Sequence, residues 1–183
     1  MEALDELSLS QKWLEYGVVT EEVLLGYARE SVENSTIVDH AGPYFLYGYL
    51  ESKENISESQ MENYLYLALN EVEEGQVHEC ISWLMDSKAL PLDHLLSLSG
   101  AEFIKKYDLV GKYERSCVIK RIGSGRTDDK FLLECVGSGD PKVQGKILEL
   151  VAVGEMVLKC LVEQGSNKRI RNIAKAKLSK IGG

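Results

Sequence analysis

Proline is scarce in this sequence, and its placement is the strongest constraint on the fold. Only three prolines occur among the 183 residues, at Pro43, Pro91 and Pro141. Each stands where a helix would begin, a position that tolerates proline because its missing amide would have no helical partner. Helices can therefore run through nearly the whole chain. We predict an all-α fold of stacked antiparallel helical hairpins.

Capping residues indicate where several of these helices begin and end. Ser57 is followed three residues later by Gln60, the spacing of a capping box, and Asp140 directly precedes a proline. Glycines such as Gly75 can adopt the left-handed backbone conformation that ends a helix, and we expect them to mark helix ends. The predicted helical segments are 9–16, 20–33, 40–52, 57–73, 76–87, 91–98, 100–107, 112–122, 127–136, 141–153, 155–164 and 167–181. Residues 117–122 are rich in β-branched side chains, which leaves a short strand as an alternative there.

Charge divides the sequence into two unlike halves. Residues 1–110 contain 6 Lys or Arg against 21 Asp or Glu, whereas residues 111–183 contain 15 against 8. We therefore expect an acidic helical N-terminal half and a basic C-terminal half within one continuous domain. A surface of one sign attracts molecules of the opposite sign. The acidic half thus favours a basic protein as partner and makes nucleic acid the less favoured one.

A repeat with a shift of 27 residues occupies the last third of the chain. Residues 140–151 align with residues 167–178, and each segment follows a shorter apolar stretch. At this shift, Val143, Gln144, Ile147 and Val151 align with Ile170, Arg171, Ala174 and Leu178. We expect the apolar members of the two sets to pack in the same way, each against its own hairpin partner.

The repeated segment resembles the second helix of HEAT repeats, which opens with Asp-Pro, continues with Val-Arg, and places an Ala and a Leu on its inner face. The resemblance covers residues 127–182. Gln144 stands where the family has arginine, and Lys168 stands where it has proline. The resemblance implies a HEAT-like basic half over residues 111–183. It also implies an alternative function, in nucleic-acid binding or the processing of DNA bases.

Tyrosines and carboxylates are concentrated in the acidic half. Four aromatic residues fall between positions 44 and 49, and because successive helical residues point in different directions, some of these rings must face solvent. Phe45, Tyr49 and Tyr64 are expected in the core. Tyrosine often anchors protein interfaces, and carboxylates pair with a partner's Lys or Arg. The predicted protein-binding residues are Tyr44, Tyr47, Glu62, Tyr66, Glu71, Glu73, Glu74 and Glu79.

The last predicted helix is basic and amphipathic. No acidic residue follows Glu163 in the sequence. Lys168, Arg169 and Arg171 lie at the start of this helix, and Lys175, Lys177 and Lys180 lie towards its end. Such cations stabilise a helix near its C-terminus and give a terminal repeat a polar outer face. Binding of phosphates is the alternative interpretation. Lys168, Arg169 and Arg171 are therefore the predicted residues of the alternative, nucleic-acid-binding site.

No arrangement of reactive side chains predicts catalysis or metal binding. His40, His78 and His94 do not have metal-ligand spacing with other His or Cys. The glycine-rich turns at 123–125 and 137–139 lack a phosphate-loop pattern. We expect no metal, no cofactor and no enzymatic activity. Widely spaced cysteines, an acidic N-terminus and the lack of a long apolar run predict reduced thiols and a cytoplasmic protein without membrane contact.

These features together predict a protein-binding module rather than an enzyme. A more specific hypothesis is an immunity or inhibitor protein that neutralises a basic toxin such as a nuclease, since small size and acidity fit that class. One alternative is a HEAT-like nucleic-acid-binding protein or DNA-base-processing enzyme that uses the basic half. The second alternative is an assembly scaffold.

Overall fold

The computed structural model describes residues 2–33 and 41–181, which form thirteen helices and no strand. The all-α prediction is confirmed for these residues. The helices are α1 (Glu2–Glu6), α2 (Lys12–Glu15), α3 (Glu21–Glu33), α4 (Ala41–Glu51), α5 (Glu58–Asn70), α6 (Glu74–Asp86), α7 (Leu92–Ser97), α8 (Glu102–Lys106), α9 (Val110–Gly123), α10 (Asp129–Gly137), α11 (Pro141–Glu149), α12 (Glu155–Gln164) and α13 (Lys168–Ile181). His40 lies outside the described residues. Within them, no helix is long and apolar enough to cross a membrane.

Local capping explains why several predicted helices begin close to their expected positions. The predicted stop at Gly75 is wrong, because Gly75 lies inside α6 and has no positive φ. The capping box of α5 is present, because Ser57 Oγ accepts from the Gln60 amide at 3.3 Å and Gln60 Oε1 accepts from the Ser57 amide at 2.9 Å. Residues 117–122 belong to α9, so the strand alternative is wrong. Helix α1 is absent from the prediction because five residues are too few to show helical periodicity.

The chain divides into two compact units, Met1–Tyr113 and Glu114–Gly183, and the division falls inside α9. Unit 1 contains 7 Lys or Arg against 21 Asp or Glu, a net charge of −14. Unit 2 contains 14 against 8, a net charge of +6. Each unit has buried apolar side chains of its own.

The core of unit 1 gathers around α4, α5 and α6, which all contact one another. Its largest fully buried side chains are Trp13, Leu24, Leu46, Ile56, Tyr64, Leu67, Ile81, Leu84, Met85, Leu90, Leu95 and Leu109. Phe45, Tyr49 and Tyr64 are buried, as predicted. The Tyr64 hydroxyl donates to the Cys80 carbonyl at 2.8 Å, so the polar end of this ring is satisfied inside the core.

The core of unit 2 is formed by the end of α9 and by α10 to α13. Helix α12 contacts α10 and α13, and α11 also contacts α10 and α13. The buried side chains are Ile122, Leu132, Cys135, Val136, Val143, Ile147, Leu148, Val153, Val157, Leu158, Leu161, Ile170 and Ala174. Two helices of this unit, α11 and α13, are the segments that align at the 27-residue shift.

The two aligned helices begin with the same kind of cap. Asp140 Oδ1 accepts from the amides of Lys142 at 2.8 Å and Val143 at 3.1 Å. Asn167, at the equivalent position, accepts from the amide of Ile170 through its Oδ1 at 3.0 Å. Each side chain satisfies an amide that has no partner within its helix.

Gln144 and Arg171, which align at the 27-residue shift, both reach back to the end of the preceding helix. Gln144 is fully buried; its Nε2 donates to the Val136 carbonyl at 2.9 Å, and its Oε1 accepts from the Ser166 amide at 2.8 Å. Arg171 is exposed, and its Nη1 donates to the Gly165 carbonyl at 2.6 Å. The glutamine that departs from the family pattern is therefore the more deeply buried of the two.

The burial of the aligned residues agrees at the start of the two segments and differs at their end. The buried pairs are Val143 with Ile170 and Ile147 with Ala174. Val151 is fully exposed, whereas Leu178 is partly buried against the unit 2 core. The expected packing of Val151 is therefore wrong.

The cause is the early end of α11, which stops at Glu149 rather than at residue 153. Leu150 adopts an extended backbone with φ −61° and ψ 141°. Its carbonyl accepts from Lys177 Nζ at 2.8 Å instead of from an amide of a continuing helix. A side chain of α13 thus satisfies a backbone group at the end of α11.

Candidate functional site

Helices α4 and α6 of unit 1 run in the same direction and border two surface grooves. One groove is lined by residues 41–43 at the start of α4 and by Gln76 near the start of α6. The other is lined by Tyr47 and Leu50 towards the end of α4 and by Trp83 towards the end of α6. The two grooves therefore lie at opposite ends of α4, a separation of roughly 15 Å at the usual helical rise.

The groove at the helix ends has an aromatic wall. The rings of Tyr47 and Trp83 meet edge to face, with centroids 5.3 Å apart and an interplanar angle of 70°. The groove has a volume of about 310 Å³, and the rest of its lining is Leu50, Glu51, Lys53, Asp86, Ser87, Lys88 and Ala89. Such a groove can receive the apolar stem of a partner's Lys or Arg while a carboxylate meets its charged end.

Two of the charged groups in this aromatic groove are engaged within unit 1. Asp86 accepts a hydrogen bond from Lys112. The Lys53 ammonium lies 4.6 Å from the centroid of the Tyr49 ring. Glu51 is exposed and forms no ion pair with any residue that the structure describes. Glu51 is therefore the carboxylate of this groove that is free to meet a partner.

The groove at the helix starts is smaller and acidic. Its volume is about 210 Å³, and its lining includes Glu71 and Glu73. The rest of the lining is Leu7, Ser8, Leu9, Ala41, Gly42, Pro43, Val72 and Gln76. Two neighbouring carboxylates beside an apolar lining attract a cation by charge and retain its aliphatic part by contact.

Exposed side chains connect the two grooves. Tyr44, Tyr47 and Glu51 are exposed and recur at three- and four-residue steps along α4, so they share one face of that helix. Glu79 is exposed on α6 one turn before Trp83. We call this region the α4–α6 surface; it comprises Tyr44, Tyr47, Glu51, Glu71, Glu73, Gln76, Glu79 and Trp83.

Tyr44 is the most exposed large aromatic side chain of the surface, yet its ring is held in place. Tyr44 is 59% exposed, while its ring stacks on Tyr27 with centroids 5.0 Å apart and an interplanar angle of 29°. Burial, with smaller contributions from Tyr44 and Glu30, raises the pKa of Tyr27. A ring that is already ordered loses less side-chain entropy when a partner covers it.

Five of the eight predicted protein-binding residues belong to the α4–α6 surface. Tyr47, Glu71 and Glu73 line its grooves, and Tyr44 and Glu79 are exposed on α4 and α6. The other three have different surroundings. The Tyr66 hydroxyl accepts a hydrogen bond from Lys12, which engages this residue within unit 1. Glu74 pairs with Lys106 at 3.4 Å. Glu62 is exposed on α5 and lines neither groove.

Sequence analysis did not identify Trp83, Glu51 or Gln76 as members of this surface. Trp83 follows Glu79 by four residues, a spacing that places both side chains on one side of a helix. That spacing was a readable signal for Trp83. The positions of Glu51 and Gln76 depend on the pairing of α4 with α6, for which the sequence contains no local signal.

The alternative nucleic-acid-binding residues lie at the start of α13 in unit 2. Lys168 and Arg169 are exposed. Arg171 instead donates to the Gly165 carbonyl, as described above. Arg171 therefore has a structural contact that its two basic neighbours lack.

The thiols of Cys80 and Cys135 are held in their protonated form by burial. Burial, supported by the nearby carboxylate of Glu79, raises the pKa of the Cys80 thiol to about 12, and burial also raises the pKa of Cys135. Both thiols are therefore protonated and poorly nucleophilic at neutral pH. His94 Nδ1 lies 3.0 Å from the Ile56 carbonyl oxygen. Over residues 2–33 and 41–181, no group of three His, Cys, Asp or Glu could hold a metal ion.

Comparison with known proteins assigns no family. No protein-family profile, curated protein or solved structure matches the chain.

Proposed function

We propose that the chain is a protein-binding module whose α4–α6 surface receives a basic protein. The observation that carries this proposal is the groove walled by the rings of Tyr47 and Trp83, whose lining also includes the exposed carboxylate of Glu51. Tyrosine and tryptophan bury a large area with few rotatable bonds and contribute most of the binding energy in many protein interfaces. An aromatic groove in a strongly acidic unit favours a partner that presents cations.

The charge of unit 1 supports a basic partner over an acidic one. Its net charge of −14 attracts a basic protein over several ångströms and speeds the encounter at low salt. The same charge repels nucleic acid from this unit. Long-range attraction and local anchoring then act on the same class of partner.

The two grooves suggest how such a partner would be held. One Lys or Arg side chain would enter the aromatic groove, contact the rings of Tyr47 and Trp83, and pair with Glu51. A second cation would meet Glu71 and Glu73 in the smaller groove. The surface therefore fits a protein with two exposed cations roughly 15 Å apart, the length of α4.

A more specific form of the proposal is an immunity or inhibitor protein that covers a basic toxin such as a nuclease. The substrate site of a nuclease is basic because it binds phosphates. An acidic surface with aromatic anchors complements such a site in both charge and contact. The immunity or inhibitor proposal is based on the kind of surface that unit 1 presents, and it identifies no particular toxin.

We also propose that α10 to α13 form two HEAT-like hairpins. The support comes from the matching caps at Asp140 and Asn167, and from Gln144 and Arg171, which both reach back to the preceding helix. The contacts of α10 with α12 and of α11 with α13 fit the side-by-side packing of repeats. An experimental structure in which α10–α11 fails to superpose on α12–α13 at the 27-residue shift would reject this proposal.

The test begins with affinity purification of the full chain from its native cell. We expect a basic protein in stoichiometric amount, and we expect Tyr47→Ala to weaken its binding by roughly tenfold or more, the usual effect of an interface anchor. Thermal melting checks that the variant is folded. Unchanged affinity of a folded Tyr47→Ala variant would remove the aromatic groove from the binding site.

A pair of charge-reversed variants separates local contact from overall charge. Glu73→Lys with Glu79→Lys changes the α4–α6 surface, whereas Glu62→Lys with Glu102→Lys changes exposed residues of unit 1 that line neither groove. Both variants change the net charge equally. We expect the first to slow association about tenfold more than the second at low salt. Equal slowing would show that the partner does not dock at this surface.

A further inference from the structure

The six cations of α13 fall into two groups with different surroundings. Two of them are used inside unit 2, because Arg171 donates to the Gly165 carbonyl and Lys177 donates to the Leu150 carbonyl. The other four are exposed and make no ion pair with any described residue: Lys168, Arg169, Lys175 and Lys180. Helix α13 contains no acidic residue. The exposed cations are therefore available to a partner.

The buried side of α13 defines which way these cations face. Ile170 and Ala174 are buried, and Leu178 packs against the same core. At about 100° per residue, the four exposed cations lie on the opposite side of the helix. They extend over roughly 18 Å of helix axis from Lys168 to Lys180. This side of α13 is its outward face.

The outward face has two basic edges and a centre of short side chains. Lys168 and Lys175 lie within about 20° of each other around the helix axis, and Arg169 and Lys180 form a second edge about 120° away. Between the two edges lie three small or short exposed residues, Asn172, Ala176 and Ser179. The Ser179 hydroxyl donates to the Ala176 carbonyl at 3.0 Å and keeps lone pairs that can accept.

We propose that the outward face of α13 docks in the major groove of duplex DNA. The major groove is about 12 Å wide and admits one α-helix, with a row of phosphates along each side. The two basic edges meet those rows, while the short central side chains let the helix approach the base edges. Asn172 is suited to adenine and Ala176 to the thymine methyl group. This activity belongs to unit 2 and is independent of protein binding by unit 1.

The lack of aromatic residues on α13 distinguishes duplex DNA from two other partners. Single-stranded nucleic acid is held largely by stacking on aromatic rings, and protein interfaces are anchored by them. Helix α13 contains no Phe, Tyr or Trp. Cations arranged in two edges instead match the two phosphate rows of a duplex.

The test measures binding of the full chain to a 20-base-pair duplex by fluorescence anisotropy at several salt concentrations. Four phosphate contacts predict a slope of about −3.6 for the logarithm of the association constant against the logarithm of salt. Binding should therefore weaken about a hundredfold between 50 and 200 mM salt. Lys175→Gln with Lys180→Gln should reduce the slope by about 2.

The matched control is Lys105→Gln with Lys130→Gln, which removes the same charge from exposed lysines on α8 and α10. We expect this control to keep the wild-type slope, and Arg171→Gln to do the same if it remains folded. Asn172→Ala should lower discrimination between duplex sequences about tenfold without changing the slope. That combination would separate base contacts from phosphate contacts.

Three results would overturn the proposal. The first is no binding of the duplex by the wild type at 50 mM salt. The second is an equal slope for the α13 variant and its matched control. The third is binding of polyglutamate or single-stranded DNA as tight as binding of the duplex, which would identify an acidic protein or a single strand as the partner instead.

Discussion

The two units differ in what surrounds their polar side chains. In unit 1, the carboxylates of Glu51 and Glu73 remain exposed at the two grooves, and Glu51 lines the same groove as the rings of Tyr47 and Trp83. In unit 2, Asp140 caps a helix and pairs with Arg115 at 2.6 Å. The buried side chain of Gln144 forms hydrogen bonds with the end of α10 and with the segment between α12 and α13. The carboxylates at the grooves of unit 1 are thus available to a partner, whereas Asp140 and Gln144 of unit 2 hold helices together.

The exposed faces of the two units differ in the sign of their charge and in their aromatic content. The α4–α6 surface combines acids with Tyr44, Tyr47 and Trp83, a composition suited to burying the stems of a partner's cations. The outward face of α13 combines cations with short side chains and has no ring. The contrast indicates that the sign of a surface and its aromatic content must be considered together when a partner is inferred.

Loss of a buried side chain should have the largest effect in either unit. Trp13 and Ile147 are fully buried in the cores of unit 1 and unit 2. We expect Trp13→Ala to lower the free energy of unfolding by about 3–5 kcal/mol and Ile147→Ala by about 2–5 kcal/mol, through lost contacts and an unfilled cavity. Urea titration measures both. An Ile147→Ala cost below about 1 kcal/mol would contradict a packed core at the repeat.

The buried amide of Gln144 should give the next largest effect. Gln144→Leu keeps the volume but leaves the Ser166 amide without its partner, which costs about 1–3 kcal/mol. The Val136 carbonyl loses less, because it also accepts from the Gly139 amide at 3.1 Å. Arg171→Gln, at the exposed equivalent position, should cost about 1 kcal/mol or less. Urea titrations showing equal costs would mean that burial does not distinguish the two positions.

Local signals were sufficient for most of the helices but not for the short α1, and contacts between distant residues were not available from the sequence. The caps at Ser57 and Asp140 were predictable because each depends on amides two or three residues away. The end of α11 was not, because Lys177 satisfies the Leu150 carbonyl from 27 residues further along. Grouping of Tyr47 with Trp83 likewise required the parallel pairing of α4 and α6. The residue types of the site were foreseeable, and their assembly was not.

The two caps of the repeat should differ in their response to pH. Burial favours the neutral form of Asp140, but the Val143 amide, the Arg115 guanidinium and the Lys142 amide outweigh it and lower the pKa below its ordinary value of 3.8. A lowered folded-state pKa means that the charge stabilises the fold above the unfolded pKa. This contribution is lost as the pH falls through the folded pKa.

We therefore expect Asp140→Ala to cost about 1 kcal/mol at pH 7 and less below pH ~4. Asn167→Ala should cost a similar amount that does not vary over this range, because an amide cap does not titrate. Thermal melts of both variants between pH 3 and pH 7 provide the measurement. A cost for Asp140→Ala that stays constant with pH would contradict the lowered pKa.

The smallest expected effect concerns Val151, the aligned position at which the two repeated segments differ in burial. Val151 is fully exposed beyond the end of α11, so Val151→Ala should change the free energy of unfolding by less than about 0.5 kcal/mol. Leu178, its partner at the 27-residue shift, is partly buried, and Leu178→Ala should cost about 1–2 kcal/mol. Urea titration of the two variants under the same conditions gives the comparison. If Val151→Ala cost as much as Leu178→Ala, α11 would extend through residue 151 in solution. The two aligned segments would then be equivalent over all four positions. The Leu150 carbonyl would accept from a backbone amide of the longer helix instead of from Lys177 Nζ.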